Sequence, residues 1–438
     1  MDPTTSLRMH REKLLEQFKG KPYTALPTPS FVLDLDVVKR NSERMLSGLS
    51  RLDENVRFRP HVKTHKTGEI VRIQLGNGAK HTAVVASTLP EIRGLLPLVH
   101  DGVVTDILYG IPPAKSKLPE LANIAREMFY HGAQLRLMLD STAQVEYIAA
   151  VPSPAQKWSV FVKVDVGDNR AGRAAASSEL ADVVRALFAA DTEKVELYGF
   201  YAHRGSSYGA TGVAAVIEHL RTELEGVTTA AKLAFSILLK SSSALRSAPF
   251  VLSVGATPTA QTSALASDEV ASLFMTARKE VQHMPTTFEI HAGNYAILDI
   301  QQVATGLVAP SDVAGAVVAE VLAYYADRQE YLVDAGVLAL AREPGRIPGI
   351  ATVKGQKISG PRWIIGRVSQ EHGILSKRTD DVPGVIEDSE PEPATTWELG
   401  DKVLLLPQHV CITSSMFQWY FILENDLVVD VYIPWRGW

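Results

Sequence analysis

The sequence predicts an α/β protein in which a (β/α)8 barrel is joined to a second, mostly β domain. Three observations carry that expectation. Short apolar runs alternate with helix-like stretches through most of the first ~300 residues. Strand-like segments in that region keep polar residues on one parity and apolar residues on the other. After about residue 308 the texture changes to short strands separated by Gly, Pro and charged turns. The expected division is a barrel over 28–308, with 1–27 and 309–438 forming the mostly β domain.

The barrel strands are the most legible elements. From Val56 to Lys63, one parity carries Val56, Phe58 and Val62, and the other Arg57, Arg59, His61 and Lys63. A polar face opposite an apolar one, far from any hairpin signal, fits a barrel strand whose apolar side meets outer helices. From Trp158 to Val166 the even positions are all Trp or Val, Lys163 and Asp165 share the odd face, and Gly167 ends the run. Ser178 to Leu187 and Val213 to Leu224 repeat apolar residues at helical spacing. Parallel strands joined by such helices bring their C-terminal ends to one mouth, where barrels of this kind place their chemistry. In the second domain Val317 to Val333, Trp363 to Val368, Lys402 to Leu406 and Phe417 to Glu424 read as strands. Ser376 to Thr396, rich in Asp, Glu and Pro, reads as an exposed loop.

Composition narrows the class. Lys and Arg number 44 against 49 Asp and Glu in 438 residues, a net charge of −5, without the positive excess of a nucleic-acid binder. Hydrophobic residues make up 46% and charged residues 21%, enough to bury a large core. Cys411 is the sole cysteine, which rules out an intramolecular disulfide framework. No apolar run reaches the ~18 residues that would suggest a membrane span. Met1 to Ser6 has no apolar run of a secretory signal. A cytoplasmic soluble enzyme acting on a small molecule is the expectation.

Three places carry chemistry in their residue types. Lys63, at a strand end, can form a Schiff base with a carbonyl cofactor if its amine is kept deprotonated; the alternative is a basic strand end on the surface. Ser253 to Thr259 offers small residues, backbone N–H groups and hydroxyls, the ingredients of an anion nest, or simply a Gly-Thr-Pro turn. His409 and Cys411 would share one face of a strand, about 6 to 7 Å apart. Imidazole and thiolate are zinc ligands, and two of them suit an open site rather than a closed four-ligand one. A buried cysteine beside a core histidine is the alternative.

The octet Pro60-His61-Val62-Lys63-Thr64-His65-Lys66-Thr67 resembles the pyridoxal-phosphate lysine segment of D-serine dehydratases and D-threonine aldolases, within the alanine-racemase-like (fold type III) enzymes. The resemblance recurs in order from Thr28–Asp34 to Val428–Val431 and the final Gly437-Trp438. It implies that Lys63 holds pyridoxal 5'-phosphate. The run from Lys163 to Gly172 is similar to the family's Asp-x-Gly-x-x-Arg-x-Gly, which implies Arg170 beneath the cofactor ring near its nitrogen. A fixed cation there would discourage ring protonation. His203 and Tyr208 match the family's cofactor loop. Gly255 and Thr257, in the nest-like run above, are phosphate candidates, and Gly293 and Tyr295 match the family's Pro-Gly-x-Tyr element, although Ala292 and His291 replace its proline and an arginine-like residue.

At His409 and Cys411 the family's dehydratases carry His-x-Cys, whereas its aldolases tend to carry His-x-Asp, which implies zinc. Gln408 stands where asparagine is common. The implied activity is D-serine ammonia-lyase, with Lys63 as general base and zinc as Lewis acid at the leaving hydroxyl. D-Threonine aldolase or 3-hydroxy-D-aspartate chemistry is the alternative, and a non-catalytic cofactor carrier a third. Homodimers are typical of the family.

Overall fold

The computed structural model describes residues 3–152, 157–189, 194–240, 249–388 and 396–438. Helix α1 (Pro3–Phe18) leads to β1 (Ser30–Asp34) and α2 (Leu35–Leu52). The chain then runs through β2 (Arg57–Pro60), α3 (Gly68–Gln74), β3 (Ala83–Ala86), α4 (Leu89–His100), β4 (Asp106–Tyr109), α5 (Leu118–Tyr130), β5 (Gln134–Leu139) and α6 (Thr142–Ala149). It continues with β6 (Trp158–Asp165), the short β7 (Arg173–Ala174), α7 (Ser178–Ala189), β8 (Val195–Ala202) and α8 (Val213–Lys240). The last barrel elements are β9 (Phe250–Val254), α9 (Thr257–Leu265), α10 (Asp268–Glu280) and β10 (Thr286–Ala292). Strands β2, β10, β9, β8, β6, β5, β4 and β3 are parallel neighbours in that order, and a bridge between His61 and Val85 brings the two ends together. The result is a nearly closed barrel of eight strands.

Strand parity sets the layers. Phe58, Val160, Val162 and Val164 point outward into the core shared with the helices. Val85, Leu108, Met138, Phe161, Tyr201 and Val251 form a separate cluster inside the barrel. Below it Arg59, fully buried, pairs with Glu289 at 2.8 Å and with Asp106 at 2.7 Å, and Arg136 meets Asp106 at 2.7 Å. The outward and inward faces therefore follow the expected alternation. Helix α2 buries Val37, Val38, Asn41, Met45, Gly48 and Leu49 on one stripe. Gly48 permits its close approach to α9, since a Cβ there would meet the carbonyl of Ala264.

The second domain contains α11 (Ile300–Val303), β11 (Gly315–Tyr325), β12 (Glu330–Val333), α12 (Val337–Leu340), β13 (Ala351–Val353), β14 (Arg362–Val368) and β15 (Gly373–Arg378). After these come β16 (Lys402–Pro407), α13 (Val410–Ser415), β17 (Tyr420–Glu424) and β18 (Leu427–Tyr432). Its sheet runs β12-β15-β14-β13-β16-β11-β1-β17-β18, and β12 also pairs with β11, so the strands from β11 to β16 close on themselves.

Four expectations change. Strand β1, placed in the barrel by its position in the chain, belongs to the second sheet: Phe31 pairs antiparallel with Val317 and Val32 parallel with Phe421. The N-terminal segment is helical and packs on β18, with the Arg11 guanidinium donating to the Val431 carbonyl at 2.7 Å. Strand β2 stops at Pro60, and Lys63 lies in a tight 3₁₀ turn, Val62–Thr64. Of the acidic segment, Ser376 to Arg378 belongs to β15, while 389–395 lies outside the described residues.

Candidate active site

A cavity of ≈ 280 Å³ opens at the C-terminal ends of the barrel strands. Lys63, Arg170, His203, Tyr208, Gly255, Thr257 and Gly293 all line it, brought from five different strand ends. A wider hollow of ≈ 560 Å³ outside the barrel, beside α2 and α3, gathers none of the predicted site residues.

The Lys63 turn is held from below. The backbone N–H of Lys63 donates to Nδ1 of His61 at 3.2 Å, and Nε2 of His61 lies 3.0 Å from the Ser87 hydroxyl. Nδ1 therefore has to be the acceptor and Nε2 the donor. Burial, helped by the nearby Lys63 cation, pushes the imidazole pKa well down, so His61 stays neutral. Among the described residues no hydrogen bond or ion pair ties up the Lys63 amine itself, which leaves it free to react.

An anion cradle faces that amine. Helix α9 begins at Thr257, and helix N-termini attract negative charge. The Tyr208 hydroxyl donates to the Thr257 hydroxyl at 3.3 Å, which also accepts from the backbone N–H of Asn294 at 3.1 Å. Gly255 has φ +150°, and any Cβ there would run into the His291 carbonyl oxygen. Only glycine brings the backbone that close. Burial pushes the Tyr208 phenol up to about 12, so it remains a donor.

The opposite wall is cationic and aromatic. Lys163, from β6, stands four strands around from β2, and its amine sits 4.7 Å over the Tyr201 ring. Burial, then the Arg170 charge, lowers its pKa to about 7. Arg170 itself is exposed at the rim, so the buried place beneath the cavity falls to Lys163, Tyr201 and His291. His203 lends Nδ1–H to the Gly255 carbonyl at 2.8 Å, and burial lowers its pKa to about 3. Behind this wall the buried Glu223 accepts from the Arg204 backbone N–H at 2.7 Å, and burial raises its carboxyl to about 8.

Tyr295 is the exception among the predicted residues. Its side chain is fully buried outside the barrel, edge-on to Phe58, and does not reach the cavity. The residue after Asn294 turns away as the chain enters a 3₁₀ turn, so the neighbouring Gly293 reaches the mouth and Tyr295 cannot.

His409 and Cys411 do not share a strand. Strand β16 ends at Pro407, His409 caps α13, and Cys411 lies in its first turn. Asp299 pins this corner, accepting from the Val410 N–H at 3.1 Å and from the Asn294 amide at 2.6 Å. The Cys411 sulfur is 3.1 Å from the Thr64 hydroxyl, beside Lys63. Burial raises the thiol pKa, while the Lys63 charge opposes that. Glu343 lies 3.9 Å from the His409 imidazole. Among the described residues no cluster of three or more His, Cys, Asp or Glu side chains forms around them.

Sequence reasoning passed over His61, Ser87, Lys163, Glu223 and His291 as site members. Inward parity was a usable signal for Lys163 and His291. Glu223 sits on α8 with nothing local to single it out.

Fold and cavity together define an alanine-racemase-like barrel protein with a lysine and an anion cradle at its mouth. Residues 33–270 match the family model "Alanine racemase, N-terminal domain", and 314–423 match a serine dehydratase domain model. The chain is 38% identical to D-serine dehydratase of Schizosaccharomyces pombe, with 99% of this chain and 97% of the relative covered. It is 35% identical to D-serine dehydratase of Saccharomyces cerevisiae, over 97% and 99%. The solved D-threo-3-hydroxyaspartate dehydratase of Delftia sp. HT23 is similar at 29% identity, with a TM-score of 0.74 over 95% of this chain and all of that one. A cysteine-to-alanine mutant of D-threo-3-hydroxyaspartate dehydratase has also been solved in a metal-free form, with 29% identity, 95% of this chain and 100% of that chain covered, and a TM-score of 0.75. The chain belongs to the D-serine dehydratase family of fold type III pyridoxal-phosphate enzymes. Among the described residues no helix is long and apolar enough to cross a membrane.

Proposed function

We propose that this protein is a pyridoxal-phosphate- and zinc-dependent D-serine dehydratase that releases pyruvate and ammonia. The observation that carries this reading is the placement of an untethered Lys63 amine across one cavity from the α9 cradle, with the Cys411 thiol on the adjoining turn. The residues fit the cofactor: a helix N-terminus with two hydroxyls for a phosphate, a glycine where a Cβ would collide, and a lysine for the aldehyde. Bound there, pyridoxal phosphate supplies an electron sink for the bond to the α-hydrogen.

The chain's own groups do the rest. The α9 N-terminus, Thr257 and Tyr208 bind the phosphate, and Lys63 takes the α-proton at Nζ. Neutral His61 holds the Lys63 turn in place without adding charge that would suppress the amine's basicity.

His409 and Cys411 fit zinc in donor chemistry, one imidazole and one thiol, and two ligands leave positions for exchangeable oxygen donors. Zinc there would supply a Lewis acid for the leaving hydroxide, which is a poor leaving group unaided. The reading includes a homodimer, which sedimentation would check.

The test is incubation of purified protein with D-serine, L-serine and D-threonine, assaying pyruvate and glycine. Pyruvate from D-serine is expected. Glycine from D-threonine, without pyruvate from D-serine, would replace this reading by the aldolase one.

A further inference from the structure

The segment after β18, residues 433–438, forms no helix or strand, so its polar groups find their partners elsewhere. It lies across the junction between barrel and second domain, and two adjacent residues grip the two sides.

Trp435 holds the barrel side. Its backbone N–H donates to the Lys66 carbonyl at 2.7 Å, three residues after Lys63. Lys66 has φ +55°, a left-handed backbone that a residue with a side chain keeps only where its surroundings fix it. Three contacts do so. Its N–H donates to the Val62 carbonyl at 2.8 Å, its amine pairs with the buried Glu91 at 3.1 Å, and its carbonyl accepts from Trp435. The indole presses on α4 at Gly94, where a Cβ would collide with the ring. The helix itself would be better served by alanine, so the glycine there answers to Trp435.

Arg436 holds the other side. Its guanidinium donates to the Ser414 carbonyl at 2.8 Å, to the Phe417 carbonyl, and to the Tyr420 hydroxyl at 3.2 Å. The Ser414 and Phe417 carbonyls close the end of the helix that carries Cys411, and the planar fork of an arginine can satisfy several acceptors at once. The Ser414 hydroxyl in turn donates to the Thr64 carbonyl at 2.8 Å. Neither Trp435 nor Arg436 lines the cavity, so both act through the segments they hold.

We propose that Trp435 and Arg436 are positioning residues: they strap the Lys63 turn to α13 and so fix the spacing of amine and thiol. This inference rests on the functional reading above, in which the amine takes the α-proton and the thiol holds the metal at the leaving group. A reaction served from two domains is sensitive to their separation, and a misplacement of about 1 Å can cost about 100-fold in rate.

The experiment uses the full chain loaded with cofactor and zinc. It compares wild type with Gly94→Ala, Trp435→Ala, their double variant and Arg436→Met. Gly94→Ala touches neither reactive segment, and by helix propensity alone it would stabilise the protein. Its kcat on D-serine should nevertheless fall roughly tenfold with KM held, because misplaced groups cost the transition state and not substrate binding. Zinc, followed by chelator competition, should be held roughly tenfold more weakly. The double variant should be no worse than Trp435→Ala, since the methyl group then has no indole to displace. Arg436→Met should reproduce both losses. Wild-type kcat and zinc affinity in Gly94→Ala and Arg436→Met, whatever happens to their unfolding midpoints, would overturn the proposal, as would additive losses in the double variant. A wild type that binds cofactor and zinc yet leaves D-serine intact would overturn the functional reading, and the zinc constants would still decide the strap.

Discussion

The hydroxyl of Thr64 lies 3.1 Å from the sulfur of Cys411, across 347 positions of sequence. Ser414, one turn further along α13, donates to the Thr64 carbonyl at 2.8 Å. The turn that presents the Lys63 amine and the helix that presents the thiol are therefore one junction between barrel and second domain. A shift of either side would move both reactive groups together.

Replacing Lys63 with Ala should remove D-serine turnover and the visible absorbance of bound cofactor in the same protein, with the far-UV circular dichroism unchanged. Wild-type turnover in that variant would refute the assignment of Lys63.

Chelation should abolish pyruvate formation while the cofactor absorbance persists, and added zinc should restore it. In Cys411→Ala, metal analysis should show lost zinc, and activity should not return on zinc addition. Thr64→Val, which removes only the hydroxyl beside the sulfur, should weaken zinc binding by about 10–100-fold, the usual effect of a group supporting a ligand. A Cys411→Ala enzyme of unchanged activity would eliminate the metal site.

Gly255→Ala should fold with reduced stability and bind cofactor poorly. Its φ of +150° is unfavourable for alanine, and the methyl group would press on the His291 carbonyl at the cradle. Titration of the apoenzyme with pyridoxal phosphate measures the effect, and an unchanged dissociation constant would argue against a phosphate at this turn.

Arg59→Met should cost about 3–5 kcal/mol in urea denaturation at pH 7, because Glu289 and Asp106 lose their buried partner. Burial alone would raise the Asp106 carboxyl, but Arg59 and then Arg136 hold it down to about 2. A carboxyl with a folded pKa below its unfolded one contributes its stability in full above about pH 4. That contribution is lost as pH falls through about 2. Acid unfolding of the variant should begin at higher pH than in the wild type, and coincident acid transitions would contradict this.

Much of the architecture was legible because strand parity is a local property. The alternation in Val56–Lys63 and Trp158–Val166 is enough to say which side chains face helices and which face the barrel interior, and Arg59, Phe58 and Lys163 lie where it put them. Strand β1 was misplaced for a reason of the same kind. Ser30, Phe31, Val32 and Leu33 are all buried, and a strand covered on both faces has no alternation to show which sheet it joins. Tyr295 failed on a turn: a motif preserves the order of residues, but one 3₁₀ step after Gly293 decides which of them reaches the mouth.

By itself the sequence determined the barrel class and the second β domain, which depend on periodicity along the chain, while Lys63 and the His409–Cys411 pair stood out only through the resemblance of their motifs to a known family. Only the tertiary structure decided that Thr64 would meet Cys411 and that Glu223 would stand behind the cavity. It alone brought Arg59, Glu289 and Ser253 together beneath His291. Hydrogen-bond direction and burial depend on which side chains converge from distant strands, and no local pattern encodes that convergence.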